Sequence, residues 1–173
     1  EYSAREHNAV RNNVGLFDQT SFAKFIVAGD DAEHVLQNIC ANNVGVNKGT
    51  VVYTAMLNDR AGIEADVTVT RLEVDKYMIV TSSSTATRDI RWIKNNVPEG
   101  AHCFVTDVTS SYAVLGLMGP KSRELLSQVV DVDVSNDKFP YMTAQYMYLG
   151  YIRVLGLRVS YVGELGWELY IPV

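Results

Sequence analysis

Apolar and polar positions alternate with a period of two from Ile63 to Leu72, where Ile63, Ala65, Val67 and Val69 interleave with Glu64, Asp66, Thr68 and Thr70. That period is the mark of a strand with one face covered. Val51–Leu57 precedes it across the turn Asn58-Asp59-Arg60-Ala61-Gly62, so the two runs predict a hairpin. Phe22–Val27, alternating around Lys24, and Lys76–Thr81 predict two more strands, and Cys103–Val108 another. Helical spacing appears at Ala32–Ile39, with Asp30 as its cap, and over Ser82–Ile93, which stops before Pro98-Glu99-Gly100. At the N-terminus residues 2–14 predict a short helix ended by Gly15, and Leu16-Phe17-Asp18 a turn-like entry.

The pattern then restarts. Tyr112–Met118 predicts a strand, and Gly119-Pro120 opens a helix over Lys121–Val129. Phe25-Ile26-Val27-Ala28-Gly29 and Leu115-Gly116-Leu117-Met118-Gly119 read alike, each a strand, a glycine and a helix, which is a weak internal repeat. Strands are expected at Gln145–Leu149, Tyr151–Leu155, Leu157–Tyr161 and Trp167–Ile171. The order predicts an α+β fold of two lobes close to the ferredoxin-like design, antiparallel sheets with helices on one face. Residues 1–20 and 110–173 form one lobe and residues 21–109 an inserted second lobe.

Composition narrows the function classes. The 173 residues are 47% hydrophobic and 20% charged, with a net charge of −5 and no basic block, which argues against nucleic acid as a partner. No apolar run reaches the roughly 18 residues that span a bilayer, so no membrane role is expected. Cys40 and Cys103 lack partners at ligand spacing and the three histidines are scattered, so no metal site is expected and the thiols are expected free. Nothing targets export, and the cytoplasm or a mitochondrial matrix both fit. The chain starts at Glu1 and ends inside the apolar run Tyr170-Ile171-Pro172-Val173, so it is expected to be a piece of a longer protein.

Candidate chemistry gathers in the stretch Ser160-Tyr161-Val162-Gly163-Glu164-Leu165-Gly166-Trp167-Glu168-Leu169-Tyr170. A turn is expected between Gly163 and Gly166, with Glu164 structural within it, and Glu168 at the start of a strand beside aromatic rings. Such a carboxylate suits a flat, polar ring, although the pattern equally fits an ordinary hairpin with a solvated Glu. Asp66 on a strand goes against propensity and asks for a partner or ligand, or else is a rim carboxylate. Tyr53, on the facing strand, would come close to it. No Ser-His-Asp or Cys-His set and no phosphate loop is present.

Five separated blocks carry a resemblance: Val14-Gly15-Leu16-Phe17-Asp18, Tyr53-Thr54-Ala55-Met56-Leu57-Asn58, Gly62-Ile63-Glu64-Ala65-Asp66, Leu117-Met118-Gly119-Pro120 and Tyr161 to Glu168. Together they resemble the folate-binding aminomethyltransferase family, the T-protein of the glycine cleavage system. Asp66–Leu72 brings the chain nearer to the C-terminal folate domain of dimethylglycine and sarcosine dehydrogenases. The resemblance implies tetrahydrofolate as cofactor, bound in a cavity between the lobes. It assigns Glu168 and Tyr161 to the pterin, Tyr53 and Thr81 to the pocket, and Asp66 to catalysis beside the reactive folate nitrogens. A bidentate, charge-assisted pair between Glu168 and the pterin fits that role. Val162 departs from the family's Thr, and Ala65-Asp66 keeps only the second carboxylate of the T-protein pair, which favours the dehydrogenase version.

In that version an N-methyl amine is oxidised to an iminium by an upstream flavin domain. FAD would belong there, since this chain has no flavin fingerprint. The one-carbon unit would then be trapped here as 5,10-methylenetetrahydrofolate. Partners would be the folate, the iminium, and the flavin and C-terminal domains of the same protein, the latter supplying a folate-binding Arg beyond Val173. The competing readings are a T-protein aminomethyltransferase, a non-catalytic regulatory module that keeps the fold, and a plain interaction domain.

Overall fold

The computed structural model describes residues 1–161 and 165–173. The turn expected between Gly163 and Gly166, with Val162 and Glu164 in it, lies outside the described residues. In chain order the elements are α1 (Tyr2–Asn12), β1 (Gly15–Asp18), β2 (Ala23–Ala28), α2 (Ala32–Ile39), β3 (Val51–Leu57), β4 (Ile63–Glu73), β5 (Lys76–Thr81), α3 (Ala86–Asn95), β6 (Phe104–Asp107), β7 (Tyr112–Met118), α4 (Ser122–Leu126), β8 (Ala144–Leu149), β9 (Ile152–Leu157) and β10 (Gly166–Pro172). The chain divides into two compact units, one of Glu1–Thr20 with Ser110–Val173 and one of Ser21–Thr109.

The inserted unit holds a five-stranded sheet in the order β3-β4-β5-β2-β6. The period-two pattern decides its faces. Phe25, Val27, Met56, Val67, Val69, Tyr77 and Ile79 pack with Val35, Leu36 and Ile39 of α2 and Ile93 of α3 into one core. Tyr53, Asp66, Thr68 and Lys24 project from the opposite face, since Tyr53 pairs with Thr68, Thr68 with Val80, and Val80 with Lys24.

The discontinuous unit holds the order β1-β7-β10-β9-β8. Leu117, Met147, Val154, Trp167 and Leu169 pack on one of its faces with Leu126, Val134 and Phe139. The two sheets share one plan: an edge strand, then the strand that leads into the helix, then two further strands and an added edge strand. β6-β2-β5-β4-β3 matches β1-β7-β10-β9-β8 position for position. The internal repeat reaches the backbone: Gly29 has φ +126° and Gly119 φ +124°, conformations that favour glycine. A Cβ at Gly29 would fall 2.1 Å from the His102 carbonyl oxygen, and one at Gly119 2.6 Å from that of Asn13.

Several local expectations need correction. α1 ends at Asn12, and Gly15 opens a strand instead of closing the helix. Leu16-Phe17-Asp18 is part of that strand, because its backbone pairs with β7, Leu16 opposite Leu117 and Phe17 opposite Gly116. The first residue of the α2 cap is Asp31, not Asp30, and its carboxylate accepts from the His102 backbone N–H at 2.7 Å. α4 stops at Leu126, well short of Val129, since Val130 leaves to bridge Leu149 and the Gly150 N–H donates to the Val129 carbonyl. Strands at Tyr151–Leu155 and Leu157–Tyr161 are one strand, β9, running through Gly156, where the Met147 side chain fills the space a Cβ would need. It ends at Leu157, beyond which the Arg158 N–H turns to the Thr143 carbonyl.

Among the described residues, no helix is long and apolar enough to cross a membrane, and no cluster of three or more His, Cys, Asp or Glu side chains could hold a metal ion. Cys40 and Cys103 are buried free thiols. Burial pushes the Cys40 thiol up to about 12 and raises that of Cys103 as well, so neither is a ready nucleophile.

Candidate functional site

The hairpin of β3 and β4 positions the first pair of candidate residues. Its turn is built by Asn58, whose Oδ1 accepts from the N–H groups of Arg60 and Gly62 and whose Nδ2 donates to Glu64 at 2.7 Å. The register this fixes sets Ala55 opposite Asp66 and Tyr53 opposite Thr68. Tyr53 and Asp66 are therefore diagonal neighbours on one face, and the Tyr53 hydroxyl donates to Asp66 Oδ2 at 2.8 Å. Both side chains are exposed, with Tyr53 at 58%. A carboxylate held at a fixed height above a sheet, with one oxygen engaged and the other open to solvent, can accept a proton or a hydrogen bond from a ligand.

Thr81 does not join them. It sits on the core face of β5, is 4% exposed, and donates to Asp89 Oδ2 at 2.7 Å. Asp89 also accepts from Thr85 Oγ1 at 2.6 Å and from Arg88 Nε at 3.0 Å, so Thr81 is tied into the first turn of α3.

Glu168 lies on β10 with Gly116 of β7 on one side and Leu157 of β9 on the other. Its half-buried carboxylate accepts from the Tyr170 hydroxyl at 2.8 Å. Burial raises the pKa of Glu168, against the lowering effect of the Tyr170 hydrogen bond. Tyr170 is itself 1% exposed, and burial and the adjacent carboxylate push its hydroxyl well above the usual tyrosine range. The strand is fixed from its other face by Trp167, which is fully buried, with Phe139 edge-on at 6.1 Å and the Arg158 guanidinium 4.5 Å from its ring. Tyr161 is 81% exposed, and among the described residues no hydrogen bond or ring contact joins it to Glu168.

Two participants are not evident from sequence pattern. Tyr170 reads as an alternating strand residue, yet it is the donor to Glu168. Lys24 reads as an outward lysine, yet it is 0% exposed and lies in the same cross-strand row as Tyr53. Burial lowers its pKa, opposed by the charge of Asp107. The available signal was a single lysine inside the apolar run Phe22–Val27.

Two ferredoxin-like sheets of one plan, with an exposed Tyr–Asp pair on one and a half-buried carboxylate on the other, define an α+β domain of duplicated design. The chain belongs to the family described as the GCVT N-terminal domain, which matches residues 1–173. It is 44% identical over 167 residues to a 4-methylaminobutanoate oxidase (formaldehyde-forming) of Paenarthrobacter nicotinovorans, covering 96% of this chain and 20% of the oxidase. It is 39% identical to an aminomethyltransferase of Halothermothrix orenii, covering 96% of this chain and 46% of that protein. The crystal structure of glycine cleavage system aminomethyltransferase T from Bartonella henselae superposes with a TM-score of 0.84 at 26% identity, over 97% of this chain and 44% of that one. The chain thus spans less than half the length of these relatives. The α+β fold of antiparallel sheets, expected from sequence, is the fold of that aminomethyltransferase.

Proposed function

We propose that this chain is a tetrahydrofolate-binding one-carbon transfer domain, working within a flavin-dependent N-methyl amine dehydrogenase or oxidase. The observation that carries the reading is the Glu168 carboxylate: half-buried, raised in pKa, and supplied among the described residues with a single side-chain donor, Tyr170. A half-buried carboxylate short of donors fits a ring edge that brings N–H groups to it, as a pterin does through its 2-amino group and N3. Tetrahydrofolate, when bound, supplies the nitrogens that take up a one-carbon unit. Glu168 holds the ring edge and Tyr170 fixes the carboxylate. Asp66, steadied by Tyr53, would be the group that takes up a proton beside the bound ring. Tyr161 offers an exposed ring to pack on the pterin. Thr81 keeps a supporting role through Asp89 and α3.

No residue of this chain forms a flavin fingerprint, so the oxidation is assigned to another part of the protein, with FAD there. The similarity to an oxidase acting on an N-methyl amine, together with the single carboxylate Ala65-Asp66, favours this context. The second reading, transfer of an aminomethyl group with release of ammonia, is favoured by the 39% identity to an aminomethyltransferase. A protein in the cytoplasm or a mitochondrial matrix suits either.

The test is calorimetric titration of the complete protein with tetrahydrofolate, alongside Glu168→Ala and Asp66→Ala. Glu168→Ala should abolish most binding, while Asp66→Ala should spare affinity and damage formation of 5,10-methylenetetrahydrofolate. Absence of folate binding by the complete wild-type protein overturns the reading. Ammonia release from an aminomethyl-carrying protein, without amine oxidation, would decide for the second.

A further inference from the structure

Two arginines of the discontinuous unit converge without a counter-ion. Arg123 Nη2 donates to Asn136 Oδ1 at 2.6 Å, and Arg158 Nη1 donates to the same oxygen and to the Phe139 carbonyl, both at 3.3 Å. Both guanidiniums lie over the Trp167 ring, at 5.8 Å and 4.5 Å. Trp167 and Glu168 are successive residues of β10 and point to opposite faces, so this place is separate from the Glu168 carboxylate. Among the described residues no carboxylate comes within ion-pair distance of either arginine. Arg158 is nevertheless only 7% exposed, and burial and the neighbouring Arg123 charge both lower its pKa. Two like charges side by side, one of them buried, burden the fold until a negative group joins them.

The unused donors are within reach of a ligand. Of the three guanidinium nitrogens of Arg158 only Nη1 is taken; Nε and Nη2 have no partner among the described residues, and neither is shut off from solvent. Arg123 Nη1 is likewise unpaired and open, while its Nε is unpaired and buried. Both residues line one open groove of about 700 Å³, with Pro120, Val132 and Leu165 as its apolar wall. Glu124 and Asp133 line it too, but both are exposed, where solvent screens their charge, and Asp133 Oδ1 already accepts from the Ser135 N–H at 2.8 Å.

We propose that this groove binds a small phosphate monoester, its phosphate taking hydrogen bonds from Arg158 and Arg123 and its organic part lying on Pro120, Val132 and Leu165. The planar fork of an arginine meets phosphate oxygens two at a time, and two guanidiniums match the two charges of a monoester. The volume is more than a bare anion fills and lies in the range of small-molecule sites. Asn136 and the Trp167 ring hold both guanidiniums in place beforehand, so little ordering is left for the ligand to impose. Nothing in this site depends on the binding of folate.

The experiment is calorimetric titration of the complete protein with phenyl phosphate, inorganic phosphate and benzoate, at one ionic strength set by chloride, for wild type, Arg123→Gln and Arg158→Lys. Wild type should bind phenyl phosphate more tightly than inorganic phosphate, and benzoate least. Arg123→Gln should bind phenyl phosphate roughly tenfold more weakly, the loss of a charge-assisted hydrogen bond. Arg158→Lys keeps the charge and loses the fork, and should weaken it as well. Far-UV circular dichroism checks that each variant folds; if Arg158→Lys does not, Arg123→Gln, at a half-buried position, decides alone. No binding of phenyl phosphate by wild type, or wild-type affinity in the folded variants, overturns the site. Benzoate held as tightly as phenyl phosphate overturns the choice of phosphate, and inorganic phosphate held as tightly overturns the role of the apolar wall.

Discussion

The Tyr170 hydroxyl donates a 2.8 Å hydrogen bond to Glu168 two residues earlier on the same strand, in surroundings that raise the pKa of both groups. Because the carboxyl is raised in the fold, the folded chain holds its proton more tightly than the unfolded one. The stability linked to that proton is fully present below the ordinary glutamate range and is lost as pH rises through the raised value. Ligand N–H groups need the opposite state, the carboxylate. Folate affinity should therefore fall on acidification with a midpoint above that of an ordinary glutamate. Glu168→Gln should bind weakly at every pH and, at neutral pH, be at least as stable as wild type. Calorimetry and urea denaturation across about pH 4 to 8 check both halves. Affinity that stays flat until the ordinary glutamate range would remove Glu168 from the ligand contact.

Tyr53→Phe removes the hydroxyl that steadies Asp66 and changes nothing in the core. Both side chains are exposed, so the stability cost should stay within about 0.5 kcal/mol. Its effect should instead appear in the reaction, as a drop of about tenfold in 5,10-methylenetetrahydrofolate formation by the complete protein. Asp66→Asn should cost about a hundredfold or more, the range of a lost general base. Equal losses of stability and turnover in Tyr53→Phe would make the pair structural.

The Tyr53–Asp66 contact was legible in the sequence because two strong signals agree there. Strict alternation sets the face, and Asn58 to Gly62 sets the turn and so the register. Period-two alternation also located most strands. What pattern could not give was which polar positions are covered. Lys24 alternates like any solvent-facing lysine, and Tyr170 like any strand aromatic, but both faces of these central strands are buried. Thr81, assigned to the pocket by resemblance alone, carries no pattern that tells its surroundings: one residue along a strand exchanges the faces, and Thr81 falls on the side of α3. At Gly156 a glycine reads as a break but serves close packing against Met147. β1 hides because four residues paired at an edge carry too little pattern to see.

Gly29 and Gly119 occupy matching corners of the two units, each leading from the strand into the helix at φ near +125°. Alanine at either must adopt a conformation that L side chains avoid, at about 1–3 kcal/mol for the backbone alone. At both corners the added Cβ also meets a backbone carbonyl oxygen, which cannot move aside as a side chain would, and the approach is closer at Gly29, 2.1 Å against 2.6 Å at Gly119. Gly29→Ala should therefore be the more damaging of the two. Urea midpoints for both variants, with Gly100→Ala as a control where nothing lies within 4 Å, check the order. Gly29→Ala no worse than Gly100→Ala would refute the reason given for the corner.

Lys24 is fully buried in β2, and its pKa is lowered by burial in spite of the Asp107 charge. A lysine whose pKa falls on folding binds its proton less tightly in the folded chain, so stability should rise as pH climbs from the lowered value toward the ordinary lysine range. Lys24→Met keeps the length of the side chain and removes the charge, and buried charges replaced by apolar groups of similar volume often leave stability unchanged or improved. The variant should be at least as stable as wild type at neutral pH and should lose the alkaline rise. Asp107 lies near the surface, which spares it the penalty of a stranded buried charge. Urea midpoints measured from neutral pH up to about pH 10 compare the two proteins. A variant that is several kcal/mol less stable at neutral pH would show instead that the ammonium holds the sheet together, and the row it shares with Tyr53 would then be a structural one.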